Sequence, residues 1–556
     1  MLNPGGIEPG LGQAGRRDPV PPPNPSANCQ AAAGRSRVLS GPGLRLRASD
    51  RTKSAALAHL AEPFVVLLLI VGTAVAAWVH LRSSSIWYDE AVTLLTTSGH
   101  ANLEWSRGLS QFTPSANLGK ILIDLYHRDV HPPLYFWTLA LWRVLLGESL
   151  EVARALSVLF TVATLALIYR YAESAKMRLA WVPVLVYAVS SVGIRYAYNA
   201  RPYAMVSFLI VLALILARSK SRWTGACAGA CVATHYFAAL CIVPLLAVSS
   251  AEQWKANRRW VLLTAITFGL FCAPQIVLLR VHIAARPQQY PGFTSLYEES
   301  CALLNGAIGG AMPHSWLSGW GLVLLLGACL AVLGACWACN KREFLLPLSY
   351  AAFLCGFLLL AMTTNKSLTK MPTEYYLGVG TSFLALLIGF GASALPRAMP
   401  FFAVLLLAGA FTATPITHAT DYRKMLAEMR SKCSECPIVV GVGYMGAIPA
   451  CVLYEAKGMR VLLLGSNDTV GQVVRRVDDQ QNIFMIPANE PATAHIEQRL
   501  VEAYPSRSEN GYFEIHLTRG GSSDSFTRMS LSRPSVFGSP TWPLLAAAVP
   551  RQPSER

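Results

Sequence analysis

Long apolar runs, separated by short basic clusters, dominate this sequence. A helix needs roughly 20 apolar residues to cross a bilayer. Runs of about this length lie near 62–82, 152–170, 179–195, 203–217, 260–280, 315–338, 344–363, 375–396 and 398–416. Charged residues make up 14% of the chain, against roughly 25% in soluble domains, so most of the chain can enter a membrane. The sequence therefore predicts a polytopic, all-α membrane bundle.

The net charge of +16 does not indicate nucleic acid binding. The basic residues lie in short clusters between apolar runs, which is typical of cytoplasmic loops and of contact with anionic lipid. No DNA- or RNA-binding motif is present. We therefore expect membrane lipids, and no nucleic acid, as partners.

The basic clusters determine the predicted topology, because loops rich in Lys and Arg stay in the cytoplasm. They lie at 170–178, 218–222, 255–259 and 341–342. All fall on one side only if 132–147 lies at the interface and 223–250 crosses twice, turning near His235. The prediction is then about 11 crossings, with a first outer loop at 83–151 and the C-terminal region outside. The other outer segments would be 196–202, 281–314 and 364–374.

Composition divides the chain into four parts. Residues 1–58 are rich in Pro, Gly, Ser and Arg and predict a disordered cytoplasmic tail, and 521–556 predict a second disordered tail. Residues 59–419 hold the apolar runs. Residues 420–520 alternate strand-like and helix-like segments, which predicts a small α/β, Rossmann-like domain outside the cytoplasm.

Two motifs in the C-terminal domain have structural as well as functional readings. Cys433 and Cys436 lack the second pair that a zinc site needs, which leaves a local disulfide or two free thiols. Residues 441–446 spell G-x-G-x-x-G between a strand and a helix, with Asp468 downstream. Dinucleotide binding is disfavoured, because the predicted topology keeps this domain away from cytoplasmic nucleotides. We expect the glycines to allow a tight strand–helix turn instead.

An acidic pair, Asp89 and Glu90, follows the first apolar run directly. Adjacent carboxylates at the lip of a membrane are costly to desolvate and usually face a polar cavity. The alternative is an ordinary solvated start of a loop. A second motif, with Asp129 and His131, precedes the pair Pro132-Pro133, which suits the first turn of an interfacial helix. The alternative is that Asp129 only caps this helix and that His131 is a surface residue.

A third motif, RYAYNARPY, places arginines on the outer side, against the charge rule. A cation at the mouth of a bundle needs an anionic partner, and Arg binds phosphate through paired hydrogen bonds. Pairing with Asp89, Glu90 or lipid headgroups is the alternative. We take Tyr198, Arg201 and Tyr203 as candidate binding residues. His235, in an apolar run, is a weaker candidate, because a lone His there more often packs than binds.

The motifs together, in this order, resemble the GT-C membrane glycosyltransferases of family 39, in the branch of bacterial relatives of protein O-mannosyltransferases and of the aminoarabinose transferase that modifies lipid A. The segments that carry the resemblance are IWYDEAVTLL, DVHPPLYFW, RALSVLFTVATLALIYR, RYAYNARPYAM and THYFAAL. It covers roughly 60–420, and the C-terminal domain is similar to the appendage of many bacterial members. The relatives often carry an acid where this chain has Asn199.

The resemblance implies an inverting transfer of a sugar from a polyprenyl-phosphate donor to an acceptor hydroxyl on a lipid, glycan or protein. Asp89 would be the catalytic base, assisted by Glu90 and Asp129. The donor phosphate would be held by Arg201, with Lys366 and Lys370 from a later outer loop. No cofactor is implied, and a divalent cation shared by Glu90 and Asp129 is left open.

Two other classes of protein remain alternatives at this point. A polytopic transporter or lipid flippase would favour internal repeats, and none is visible. A long first outer loop with paired carboxylates is also not what transport predicts. A non-catalytic polytopic scaffold is the other alternative. The predicted location is the inner membrane of a bacterium, with active site and C-terminal domain extracytoplasmic.

Overall fold

The computed structural model describes residues 42–100, 105–128, 131–285, 292–307, 345–365, 368, 376–394, 421–441, 447–456, 458–464, 468–477, 480–487, 493–509 and 512–517. The chain divides into two units, Met1–Ala61 and Glu62–Arg556. In the first unit, residues 42–61 are helical and form the beginning of α1 (Pro42–Ser83). This helix begins earlier than the predicted tail boundary at 58, because the stretch before the apolar run is rich in alanine, a strong helix former. Residues 1–41 and 521–556 lie outside the described part of the chain.

The larger unit is mostly helical. After α1 come α2 (Tyr88–Thr97), α3 (Leu118–Arg128), α4 (Pro133–Leu146), α5 (Leu150–Ser174), α6 (Trp181–Val189), α7 (Ser191–Tyr198), α8 (Tyr203–Arg218), α9 (Thr224–Thr234), α10 (Ala238–Gln253), α11 (Arg258–Ala285), α12 (Leu296–Ala307), α13 (Leu345–Thr363) and α14 (Thr381–Ala394). The predicted break near His235 is observed, since α9 ends at Thr234 and α10 begins at Ala238.

Three of the described helices are long and apolar enough to cross a membrane: Glu62–Ser83, Leu150–Ser174 and Arg258–Leu279. The pair Val192–Tyr198 and Tyr203–Arg218, bent by 118°, passes the same test when taken together. Other apolar helices, α4 among them, are shorter. The chain is therefore a multi-pass membrane protein, while the count of 11 crossings stays a prediction. The predicted spans at 315–338 and 398–416 lie outside the described residues.

Lipid-facing surface is visible on the long helices. Phe64, Leu67 and Leu68 of α1, and Leu270 and Val277 of α11, are exposed apolar side chains. Exposed apolar surface of this extent is unfavourable in water and is what hydrocarbon tails cover. The opposite helix faces pack on one another in a single apolar core that runs from α1 to α14.

The C-terminal part is a small α/β domain. Its strands are β1 (Ile438–Gly441), β2 (Val461–Leu464), β3 (Asn482–Ile486), β4 (Ser506–Ser508) and β5 (Phe513–His516), in the order β2-β1-β3-β5-β4. Its helices are α15 (Tyr422–Lys432), α16 (Ala447–Glu455), α17 (Val470–Arg476) and α18 (Ala494–Ala503). Helices α15 and α16 cover one face of the sheet, and α17 and α18 cover the other.

This sheet is mixed rather than all-parallel. Strand β1 pairs in parallel with β2 and β3, but β5 pairs antiparallel with β3 and β4. Gly441 ends β1, and a Cβ there would collide with the side chains of Thr493 and Glu497, so glycine fits a close approach of α18. Residues 442–446 lie outside the described chain. Asp468, downstream of the glycine motif, pairs with Arg476 at 2.8 Å.

Candidate active site

The acidic motif and the arginine motif meet in space. Asp89, in the first turn of α2, places Oδ2 3.6 Å from Nη2 of Arg201, which precedes α8. Arg201 also donates from Nη1 to the hydroxyl of Thr93 at 3.0 Å and to the carbonyl of Asp89 at 3.4 Å. Arg201 is 4% exposed and Asp89 is 27% exposed. The carboxylate is therefore reachable from solvent, whereas the cation lies in the wall behind it.

Glu90, the second acid of the motif, is fully buried in an ion pair with Arg154 of α5. Its Oε2 accepts from Arg154 Nη2 at 2.6 Å and from the backbone N–H of Trp87 at 3.1 Å. Its Oε1 accepts from Arg154 Nε at 2.9 Å and from the backbone N–H of Ala200 at 2.8 Å. Both oxygens of Glu90 are thus occupied by protein donors.

The pKa of Glu90 reflects two opposed effects. Burial alone would raise the pKa, but the charge and hydrogen bonds of Arg154, with the N–H groups of Ala200 and Trp87, hold it below its ordinary value. Glu90 is therefore a carboxylate at neutral pH, and it is held as part of the structure.

Arg154 also holds the connection between α1 and α2. Its Nη1 donates to the carbonyls of Leu81 and Ser84, both at 2.9 Å, and Nη2 donates to the carbonyl of Ser85 at 2.8 Å. The buried guanidinium of Arg154 therefore donates hydrogen bonds both to carbonyls at the end of α1 and to the carboxylate of Glu90. A charged residue in the first turn of an otherwise apolar span is the sequence signal that could have singled out Arg154.

The other end of α2 is held by a second buried arginine, Arg143 of α4. It donates to the carbonyl of Leu94 at 3.1 Å and to the hydroxyl of Thr97 at 2.6 Å. It also donates to the carbonyls of Phe112 and Glu148. Cations at a helix C-terminus bind carbonyls that the helix itself leaves unpaired. With arginines at both ends, α2 is a fixed platform for Asp89.

The RYAYNARPY motif lies at the bend between α7 and α8 and contacts both Asp89 and Glu90. Its backbone leaves the helical path at Asn199, so that the N–H of Ala200 is free to donate to Glu90. The carbonyl of Asn199 accepts from the hydroxyl of Ser157 at 2.6 Å. The buried side-chain amide of Asn199 has no hydrogen-bond partner among the described residues. No carboxylate stands at that position to share a cation with the other acids.

Aromatic and imidazole rings line the side of the site near Arg201. Arg201 Nη2 lies 3.2 Å from Nε2 of His131, and because a guanidinium only donates, this nitrogen must be the acceptor. The His131 ring lies 5.8 Å from that of His235, and His235 lies 5.5 Å from Tyr203 and 6.3 Å from Tyr376. These rings come from four separate segments of the chain.

The remaining predicted residues divide into two groups. Tyr198 packs its ring on that of His80 at 5.4 Å. Asp129, Lys366 and Lys370 lie outside the described residues. Described residues of the loop that carries both lysines contact the preceding outer segment: Asn365 accepts from the N–H of Phe293 at 3.0 Å, and Glu299 accepts from the N–H of Leu368. Within the described chain, no three His, Cys, Asp or Glu side chains are grouped as metal ligands.

Part of the chain matches a known protein family. The model of the dolichyl-phosphate-mannose-protein mannosyltransferase family matches residues 130–277, a stretch that holds His131, Arg201 and His235. No curated protein matches the chain in sequence.

Two solved structures share the fold. ArnT from Cupriavidus metallidurans in the apo state is 11% identical, with a TM-score of 0.51, over 81% of this chain and 98% of that one. ArnT from the same organism bound to undecaprenyl phosphate is 14% identical, with a TM-score of 0.51, over 82% and 98%.

The family match and the shared fold confirm the resemblance to the GT-C membrane glycosyltransferases that the sequence shows. Within this class, the matches fall in the two branches that the sequence resembles: the protein O-mannosyltransferases and the aminoarabinose transferases.

Proposed function

We propose that this chain is an inverting glycosyltransferase that moves a sugar from a polyprenyl-phosphate donor to an acceptor hydroxyl on the extracytoplasmic side of the membrane. The observation that carries the proposal is the pairing of Asp89 with Arg201 at 3.6 Å. A reachable carboxylate beside a buried guanidinium supplies the two groups the reaction needs: a base for the acceptor and a cation for the donor phosphate.

Arg201 would bind the phosphate of the donor, with His131 beside it. A nucleotide sugar is not expected outside the cytoplasm, so a sugar reaches this site attached to a lipid. The structure of ArnT bound to undecaprenyl phosphate supports a lipid phosphate of this kind. Lys366 and Lys370 would add charge from the later outer loop. Neutralising the phosphate makes polyprenyl phosphate a good leaving group, so no separate general acid is needed.

Asp89 would accept the proton of the acceptor hydroxyl. The hydroxyl oxygen forms its bond to the anomeric carbon from the face opposite the phosphate, and the bond from that carbon to the phosphate oxygen breaks, so configuration is inverted. As the phosphate draws Arg201, the carboxylate of Asp89 is freed to take up the proton. Proton transfer to a positioned base contributes typically 10²–10⁴-fold to rate.

Glu90 would act by positioning rather than by touching substrate, since its oxygens already bind Arg154, Trp87 and Ala200. Asp129 remains the candidate second acid, orienting Asp89 or the acceptor. The proposed step needs no resident cofactor, and a divalent cation at Asp129 is tested by assaying with and without a chelator.

Two features support the proposed orientation of the chain in the membrane: the distribution of basic residues and a disulfide. The basic clusters between the apolar runs favour a cytoplasmic position for those loops. Cys433 and Cys436 form a disulfide, a bond that persists in oxidising compartments outside the cytoplasm. Both features support an extracytoplasmic C-terminal domain, and the inner membrane of a bacterium is the location that we propose.

One assay separates this proposal from a transporter or flippase. Purified protein in liposomes receives polyprenyl phosphate carrying a labelled sugar and a pool of envelope lipids and glycans as acceptors. Glycosyl transfer releases polyprenyl phosphate and labels the acceptor, and Asp89→Asn abolishes both. Movement of intact donor across the bilayer without release would establish the rival class and sink the proposal.

A further inference from the structure

We propose that the C-terminal α/β domain positions the acidic motif, and that Glu455 is the residue through which it does so. The inference rests on the proposed function, because it takes Asp89 as the base. It assigns a part in catalysis to a domain that carries none of the candidate catalytic residues.

Helix α16 docks on the membrane domain rather than only on its own sheet. It packs against α2, and Ala450 and Cys451 belong to the same apolar core as the membrane helices. Tyr454 packs its ring on Phe112 at 5.3 Å, and its hydroxyl accepts from the backbone N–H of Leu150 at 2.9 Å. Leu150 begins α5, the helix that carries Arg154. One helix of the C-terminal domain thus contacts α2, the first outer loop and α5.

Glu455, the last residue of α16, reaches the connection before the acidic motif. Its side chain is 1% exposed. Its Oε1 accepts from the backbone N–H of Ile86 at 3.2 Å, across 369 residues of sequence. Ile86 is itself buried and precedes Asp89 by three residues. Without Glu455, this buried N–H would lose its acceptor, a loss that a structure relieves only by moving the backbone.

Arg423 of α15 completes the contact from the same domain. It donates to Glu455 Oε1 at 3.3 Å and to the carbonyl of Arg82 at 2.7 Å. Its backbone N–H donates to the hydroxyl of Ser85 at 3.2 Å. Arg423 therefore neutralises Glu455 and holds the same connection.

The connection between α1 and α2 is consequently held from two sides. Arg154 binds the carbonyls of Ser84 and Ser85 from within the membrane domain. Glu455 and Arg423 bind the N–H of Ile86, the carbonyl of Arg82 and the Ser85 hydroxyl from the C-terminal domain. A displacement of about 1 Å in a catalytic group can cost about 100-fold in rate. Glu455 acts through the backbone and is a positioning residue.

The test uses the full chain in liposomes and the donor-release assay. The variants are Glu455→Ala, Glu455→Gln and Arg423→Ala. Glu502→Gln is the matched control, because Glu502 is an exposed acid on α18, on the opposite face of the same sheet. We expect Glu455→Ala to lower kcat about tenfold to 100-fold, with the KM for donor changed less than about twofold. Glu455→Gln keeps an acceptor oxygen for Ile86 and should retain intermediate activity.

Two further readouts separate positioning from mere stability. Activity is expressed per folded molecule, and hydrogen exchange is followed in the peptide covering 82–90. The inference predicts faster exchange there in Glu455→Ala and Arg423→Ala, alongside the lower kcat. Unchanged kcat per folded molecule with unchanged exchange would overturn it. If Glu455→Ala does not fold, the Gln and Arg423 variants carry the same test. Absence of donor release by the unaltered chain would instead be a failure of the proposed function.

Discussion

Asp89 and Arg201, separated by 112 residues in the chain, lie 3.6 Å apart in the fold. The pair unites the first outer loop with the bend between α7 and α8. A second bond has the same effect, because Glu90, next to Asp89, accepts from the N–H of Ala200, next to Arg201. The proposed base and the proposed phosphate ligand are therefore joined by two contacts, one direct and one between their neighbours in the chain.

Replacing Asp89 by Asn should remove activity without unfolding the protein. The side chain is 27% exposed and Asn has nearly the same shape, so we expect a loss of about 10²–10⁴-fold in kcat with a much smaller effect on melting temperature. Glu173→Gln is the control, since Glu173 forms an exposed ion pair at the far end of α5. Release of polyprenyl phosphate is measured; near-normal release from the Asn variant would remove Asp89 as the base.

Arg201→Lys should bind donor more weakly than the unaltered chain and should not be a conservative change. A lysine keeps the charge but cannot contact Asp89, Thr93 and a phosphate at once. We expect a higher KM for donor and weaker inhibition by free polyprenyl phosphate, with Arg201→Ala more severe. Arg218→Ala, at the exposed end of α8, serves as control. Inhibition by free polyprenyl phosphate that is equal in the unaltered chain and in both Arg201 variants would contradict the assignment.

Breaking the Glu90–Arg154 pair should be destabilising. Removing one partner of a buried ion pair typically costs about 3–5 kcal/mol, so Glu90→Gln should melt well below the unaltered chain in detergent at pH 7. A lowered pKa in the folded state means that Glu90 contributes stability above its ordinary value of 4.5 and loses it as pH falls through the folded value. The difference between the two proteins should thus shrink in strong acid. A constant difference from pH 7 to pH 3 would argue against the pair.

Gly378→Ala should disturb the aromatic wall. A Cβ at this position would overlap the hydroxyl of Tyr196 and the side chain of Val192. Tyr196 stacks on Tyr203 at 5.0 Å, so the clash is passed to the ring beside His235. We expect a cost of about 1–3 kcal/mol, and lower donor affinity. Gly72→Ala, where nothing lies within 4 Å, should be neutral or slightly stabilising; equal melting temperatures of the two variants would refute the clash.

The Cys433–Cys436 disulfide gives a test of orientation. In intact cells these cysteines should resist maleimide until a reductant is added, and should then react with a membrane-impermeant reagent. Replacing both with Ser should change stability little, because a disulfide acts mainly through the length of the loop that it closes, and this loop is short. No labelling by the impermeant reagent after reduction, together with labelling once the cells are permeabilised, would contradict the extracytoplasmic placement.

Sequence reasoning found the elements that local patterns specify. The apolar runs, the break at His235 and four of the five strands follow directly from hydrophobic period and turn residues. The missing strand, β4, has only three residues, all exposed, and no apolar alternation marks it. The sheet could not be foreseen as mixed, because strand direction depends on pairing partners far apart in the chain.

The sequence predicted the two charged residues that meet in the candidate site, but not the residues that hold them in place. Asp89 and Arg201 could be predicted because charged residues at the mouth of an apolar bundle are costly to bury and are usually functional. The burial of Glu90 could not be foreseen, because it depends on Arg154, 64 residues away. The contact of Glu455 with the N–H of Ile86 could not be foreseen either, because the two residues are 369 positions apart in the chain.

The acid side of the site is preassembled by Arg143 and Arg154, which clasp α2 at its two ends. Such a platform has little freedom to shift when substrate arrives. We therefore expect any closing motion over a bound sugar to involve segments that these arginines do not hold, such as the turn at His235, whose ring lies 6.3 Å from that of Tyr376. In the proposed enzyme, the acidic side of the site would stay in place while the other side moves.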